Sequence, residues 1–391
     1  DGEIAYMDSE IGRLLDALGK NGFSKNTLVV AVADHGEGLG EHDEATHTML
    51  IYESTIRVPL ILSCRGVFRG PYIAGGGVVS TADVFPTVLD LLGALGERAV
   101  DGKSLLGPLS PDRAIYIETL APYFDAGWSP IYGLRRHGDK YILAPRPEYY
   151  DLRADPEEKN NLAGGSGPAR EVADALASEL EARLARGPSL EEIAASTEPL
   201  DLESRLRLEA LGYVSGAALP DSGEPLPDPK EMMPVLGLLD RANIYLRAGR
   251  LDQALDSIRR AADRSPRNRE VLRTMGKVFL FMERDGEAED TLRAALALRP
   301  HPDICLLIAQ LMIKQDRREE ARGMLAQAAA LDPMHGGVEI ARGDLLMKEG
   351  KPGEAIAAYR RAAEIDPYRV GDAARARLAA ASRRPPGTAP R

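Results

Sequence analysis

The chain has 391 residues, 44% of them apolar and 28% charged, the values of an ordinary globular protein of two or three domains rather than a disordered one. It contains no run of about 18 apolar residues, and its two cysteines, Cys64 and Cys305, are too few for a disulfide framework or a four-thiolate zinc site. The formal charge is −11; the acidic excess lies in the first 230 residues, which argues against broad nucleic-acid binding there.

In chain order, Ile4, Met7, Ile11, Leu14, Leu15 and Leu18 fall at helical spacing, and Gly19 and Gly22 end the run. Residues 27–33 open with Thr27 and continue as the apolar run Leu28 to Ala33, the pattern of a strand covered on both faces. Directly after it comes Ala33-Asp34-His35-Gly36-Glu37-Gly38-Leu39-Gly40-Glu41-His42, followed by Thr46-His47-Thr48. Groups just past the carboxyl end of a strand in a parallel α/β sheet face the ligand crevice. Gly36 permits the sharp turn that would let Asp34 and His35 reach one metal ion; the competing reading is a hydrogen-bonded polar turn. Val58 to Leu62 reads as a second strand, and Ser80-Thr81-Ala82-Asp83 caps a helix carrying Val84, Val88, Leu91 and Leu92. Short strands follow at 114–118, 131–135 and 139–143. Between the first two, Tyr123, Trp128 and Tyr132 surround Pro122 and Pro130, and Trp128 is the only tryptophan. They read either as a substrate-pocket wall or as a staple of the small strand region onto the core. Cys64 and Cys305 read as packed thiols.

Residues 164–230 change character. Gly164-Gly-Ser-Gly-Pro168 is a break, a charged amphipathic helix runs to about Arg186, and Pro220 to Pro229 reads as a linker, so the segment is expected to be a helical tether. Beyond it the chain repeats: Pro266, Pro300, Pro333 and Pro367 are spaced by 34, 33 and 34 residues. Ala254, Ala288, Ala321 and Ala355 keep the same phase, as do Ala242, Gly276, Ala309 and Gly343. A small residue where two helices touch, an Ala packing the next helix and a closing Pro describe a helix-hairpin repeat. The phase resembles tetratricopeptide repeats at 235–268, 269–301, 302–335 and 336–369, with a capping helix at 370–382 and a disordered tail at 383–391. Such an array offers a concave face to a protein or peptide partner. Arg259, Arg260, Arg317, Arg318, Arg360 and Arg361 are basic pairs along it, read as a solvated face rather than an acid-binding one. No segment interleaves aromatic and basic residues as a single-strand nucleic-acid binder does.

The stretch from Thr27 through Asp34-His35-Gly36-Glu37, with Leu39-Gly-Glu-His42, Thr46-His47, Tyr52-Glu53 and Arg57-Val-Pro-Leu60, resembles the C-terminal half of the sulfatase family, within the alkaline-phosphatase superfamily of metal-dependent hydrolases. Gly2 to Asp8, Ile11 to Leu15, Val79 to Asp83 with Phe85-Pro-Thr87, Asp101 to Leu105, and Tyr149-Tyr-Asp-Leu152 with Asp155 to Glu158 and Asn161-Leu162 resemble further family pieces in order. The implied architecture for 1–163 is a partial α/β sulfatase-like domain with a small antiparallel C-terminal subdomain, followed by the all-α repeat solenoid. The resemblance makes Asp34 and His35 divalent-metal ligands, and His47 the group that stabilises or protonates the leaving oxygen. His42 and Arg57 would stand behind them, Arg57 either in a buried ion pair or at the substrate, and Glu37 and Glu41 read as solvated or loop-fixing. By family the metal is Ca²⁺; the nitrogen ligand His35 also admits Mn²⁺, Fe²⁺ or Zn²⁺.

The family's nucleophile, a Cys or Ser matured to formylglycine within Cys/Ser-x-Pro-x-Arg, has no counterpart in the sequence, nor does the family's early Asp pair. With an opening, Asp1-Gly2-Glu3-Ile4, that reads as mid-helix, this leads to the expectation of the C-terminal part of a longer sulfate-ester hydrolase, inactive by itself. Phosphodiester or phosphonate-monoester hydrolysis is the alternative chemistry, and a non-catalytic repeat-based interaction protein the alternative class. By resemblance the location is periplasmic or otherwise extracytoplasmic.

Overall fold

A computed structural model of the chain describes residues 1–68, 77–97, 99–195, 225–367 and 370–382. They fall into two compact units. The first is Asp1–Thr119 with Ile131–Arg186, and the second Leu120–Pro130 with Gly187–Arg391. Among the described residues no helix is long and apolar enough to cross a membrane.

The first unit opens with helix α1 (Gly2–Lys20), whose apolar stripe is present as expected although none of its residues is buried; Ile4, Tyr6, Met7 and Leu14 are all more than half exposed. The apolar run after it supplies β1 (Val29–Val32), which pairs antiparallel with β2 (Leu60–Ser63), Val32 opposite Leu60. This corrects the expectation of a parallel strand covered on both faces, for Val32 and Ile61 lie open on this two-stranded ribbon. A wholly apolar run records the burial for which a strand is built, and one partner strand cannot supply it. Short α2 (Glu53–Ile56) precedes β2.

Ser80 and Asp83 form a reciprocal capping box ahead of α3 (Val84–Leu91). Asp83 is fully buried and takes a bidentate pair from Arg113 at 2.6 and 2.7 Å. The strands β3 (Ala114–Thr119), β4 (Ile131–Arg136), β5 (Asp139–Leu143) and β6 (Glu148–Asp151) make an antiparallel meander. Helix α4 (Pro168–Leu184), counted with the tether by composition, packs on this sheet: Ala173, Leu176 and Leu180 are buried against Leu134, Tyr141 and Tyr149. Its charged residues mask a narrow but complete apolar stripe. Helix α5 (Leu190–Ala195) follows, in the second unit.

The second unit is a stack of helix hairpins: α6 (Pro229–Arg247) with α7 (Leu251–Arg264), α8 (Arg269–Phe281) with α9 (Asp285–Leu298), α10 (Pro302–Lys314) with α11 (Arg318–Leu331), and α12 (Gly336–Lys348) with α13 (Pro352–Ile365). Helix α14 (Gly371–Ser382) closes it. The small residues sit at the crossings. A Cβ on Gly343 would come within 2.3 Å of the Tyr359 ring, so that ring lies directly on the α12 backbone. Ile304, Ile308, Ala309, Ala321, Leu325 and Ala328 belong to the continuous core between hairpins. The first helix starts at Pro229, ahead of the 235 read from the phase, and is capped by Asp228. Residues 220–224 of the linker and the whole tail at 383–391 lie outside the described residues.

Candidate functional site

The loop after β1 is held by glycine contacts with the backbone that follows it. The Gly36 amide donates to Thr55 O at 2.7 Å and the Gly38 amide to Thr46 O at 2.5 Å. A Cβ on Gly36 would lie 2.2 Å from Ser54 O, so only glycine fits there. Between 42 and 48 three non-glycine residues take left-handed backbone angles, His42 (φ 53°), Asp43 (63°) and the β-branched Thr48 (102°), a costly local concentration of strain. Glu44 steadies it: its buried carboxylate accepts from the Met49 amide at 2.8 Å and the Leu50 amide at 3.3 Å. Burial pushes this carboxyl up to about 7 against those two amides.

At the mouth of the loop lie Asp34, His35 and His47. The Asp34 carboxylate is 88% exposed and accepts from the His35 amide at 3.0 Å; that hydrogen bond, with its own amide and the His35 ring, holds it below the usual carboxylate range. The His35 Nδ1–H donates to Gly36 O at 2.7 Å, since a carbonyl can only accept. In the neutral ring the lone pair is then on Nε2, 3.9 Å from Asp34 Oδ1. A backbone carbonyl fixing the tautomer in this way is the usual support of a metal-ligating imidazole. The His47 ring stacks on His35 with centroids 3.9 Å apart. Its Nδ1 faces the Glu37 carboxylate at 3.3 Å, the loop-fixing role expected for Glu37.

Asp34 Oδ1 and His35 Nε2 therefore fit as two donors to one divalent ion. Among the described residues no group of three or more His, Cys, Asp or Glu could hold a metal, and two ligands fall short of the four to eight that zinc or calcium takes.

The remaining expected site residues are placed elsewhere. His42 lies flat on Tyr52, centroids 3.5 Å apart, and its Nε2–H donates to Glu157 O at 3.2 Å, so it anchors the loop to the turn after β6. Arg57 is exposed at the end of α2, which corrects the expectation of a buried ion pair. Tyr123 and Trp128, expected as a pocket wall, belong to the second unit and are buried there at 7% and 1% exposure; the segment between β3 and β4 turns into the repeats. The cysteines are both buried.

Sequence reasoning missed Lys140, fully buried on β5. Its Nζ lies 2.6 Å from Glu158 Oε1, 3.4 Å from Glu53 Oε1 and 5.9 Å from the centre of the Tyr52 ring. Glu158 also accepts from the Glu53 amide at 2.6 Å, and Tyr52 Oη donates to Glu148 at 2.8 Å. This network ties α2 and the His42 platform to the sheet. A lysine inside a strand gives no sign in one sequence that it is buried.

The sulfatase family matches residues 1–94, and a tetratricopeptide-repeat family matches 239–303 and 306–370. The chain thus joins a sulfatase-like region to tetratricopeptide repeats. It is 32% identical to the choline-sulfatase of Rhizobium meliloti (strain 1021) over 165 residues, 41% of this chain and 31% of that one. With the multifunctional alkaline phosphatase superfamily protein PehA of Trinickia caryophylli it shares 31% identity over 202 residues, 47% of this chain and 39% of the relative. Human arylsulfatase K is 29% identical over 175 residues, 41% and 32% of the two chains. The chain spans about a third of the length of these curated relatives.

Proposed function

We propose that this chain is the C-terminal part of a sulfatase-type, metal-dependent hydrolase of sulfate esters, with a repeat domain that binds a protein or peptide partner. The observation that carries the reading is the pairing of Asp34 Oδ1 with the lone-pair nitrogen of His35 at 3.9 Å, under a stacked His47. In this reading Asp34 and His35 hold one divalent cation, which when bound supplies positive charge to the ester oxygens. His47, oriented by Glu37, gives a hydrogen bond or proton to the leaving oxygen. The nucleophile and the further metal ligands come from polypeptide outside this chain, which also covers the exposed apolar faces of α1 and the β1–β2 ribbon.

Phosphodiester or phosphonate-monoester hydrolysis is the second reading, favoured by one observation: the residue after Asp34 is a nitrogen ligand rather than an oxygen ligand. The test is hydrolysis of aryl sulfate, phosphodiester and phosphonate monoester, by this chain and by a polypeptide extended upstream through a Cys/Ser-x-Pro-x-Arg motif. The expected result is turnover by the extended protein alone, lost together with bound metal in Asp34→Ala and His35→Ala. Turnover by this chain that disappears in Asp34→Ala would overturn the partial-site reading. Full activity and metal content in the extended Asp34→Ala protein would overturn the ligand assignment.

A further inference from the structure

Residues 120–130 leave β3 and return to β4, yet they are packed within the repeat unit. A single π-helical turn at Pro122–Ala126 presents them, ending at Gly127 with φ 71°. Trp128 is 1% exposed and its Nε1–H points at Ser265 Oγ, 3.4 Å away, at the end of α7. The Asn268 side chain, 2% exposed, donates from Nδ2 to Ala126 O at 3.3 Å while its Oδ1 caps α8 by accepting from the Val271 amide at 3.1 Å. Arg299, at the end of α9, donates to Phe124 O. Its other terminal nitrogen, Nη2, is buried with no hydrogen-bond partner among the described residues. Burial pushes the Asp125 carboxyl up to about 6, outweighing the charges of Arg269 and Arg299 that it feels.

The repeats grip two main-chain carbonyls with the side chains of Asn268 and Arg299 and add one deep aromatic anchor. Main-chain hydrogen bonds supply general affinity and a few side chains supply selection, which is how proteins read short peptide segments. We propose that the inter-repeat edge formed by Ser265, Asn268 and Arg299 is a recognition site for a short segment that offers two accepting main-chain carbonyls followed by an aromatic anchor. Residues 120–130 fill it as a ligand supplied by the same chain. A partner protein using this edge must present a segment of that chemistry and displace the resident one. The inference stands on the second unit alone and does not depend on the hydrolase reading.

Trp128 is the only tryptophan, so its emission reports the occupancy of the edge in the intact chain. Asn268→Asp keeps the α8 cap but replaces the donor with a carboxylate. Asp125→Lys alters the segment and leaves the packing between repeats untouched. Either change, or Arg299→Ala, is expected to shift Trp128 emission to the red and raise its quenching by acrylamide, at unchanged helical circular dichroism. In the Trp128→Ala chain, a synthetic peptide with the sequence of 120–130 is expected to bind saturably, its own tryptophan moving to the blue. Adding Arg299→Ala to that chain is expected to weaken binding about tenfold, the scale of one charge-assisted hydrogen bond. Two results would overturn the proposal: Trp128 emission that stays buried in both Asn268→Asp and Asp125→Lys, or a peptide that gives no shift with the Trp128→Ala chain.

Discussion

Lys140 holds a positive charge in the dry interior of the first unit, between Glu158 and Glu53. Removing one partner of a buried ion pair leaves an uncompensated charge, at a cost of about 3–5 kcal/mol. Lys140→Met is therefore expected to lower stability by that amount in urea unfolding, whereas Arg57→Ala, at an exposed position, should change it little. Glu44 makes a second prediction. Its carboxyl rises from 4.5 to about 7 on folding, chiefly through burial, so the folded state binds the proton more tightly than the unfolded one. The stability it lends is complete below about 4.5 and is lost as pH rises through about 7. Glu44→Gln keeps an oxygen for the Met49 amide and should flatten this part of the profile of melting temperature against pH; an unchanged slope would contradict the assignment.

The repeat elements are where periodicity and packing agree most closely. The small residues in phase were legible because each marks a helix crossing, and at Gly343 the crossing is so tight that the Tyr359 ring lies where a Cβ would be. Gly343→Val is expected to force α12 and α13 apart at a cost of about 1–3 kcal/mol or more, read as a lower melting temperature. Of the basic pairs, Arg317 is held by Glu289 and Glu320, and Arg318 by Asp316. By contrast, α4 looked like tether because its buried stripe is only Ala173, Leu176 and Leu180 among charges. The segment 120–130 reads as a pocket wall or as a staple of the strand region onto the core, and not as part of the repeats, because a lone Trp among prolines carries no record of which part of the chain buries it. Register and repeat phase are local properties; burial by a distant element is not.

At the scale of the whole molecule, the site loop was legible as far as its glycines and its Asp-His pair, since both express short-range geometry. The stacking of His47 on His35, the diversion of His42 onto Tyr52 and the Lys140 network include contacts between residues as far as 115 positions apart, and no spacing in the sequence encodes them. The two units also differ in completeness. The repeat array buries its own core, whereas among the described residues of the first unit α1 has no buried residue and β1 has a single partner strand. That contrast, together with the proposed pairing of Asp34 and His35 as only two donors to a metal, underlies the proposal that the hydrolase centre is completed by other polypeptide.

Whether Asp34 and His35 act as a pair toward a metal ion is tested directly by the histidine ring signals in nuclear magnetic resonance, with six histidines to compare. Titration of the chain with Mn²⁺ should broaden the rings of His35 and its stacked neighbour His47 first, while His137, His301 and His335 remain sharp, and Asp34→Ala should abolish the effect. Uniform broadening of all six rings, or selective broadening that survives Asp34→Ala, would contradict it.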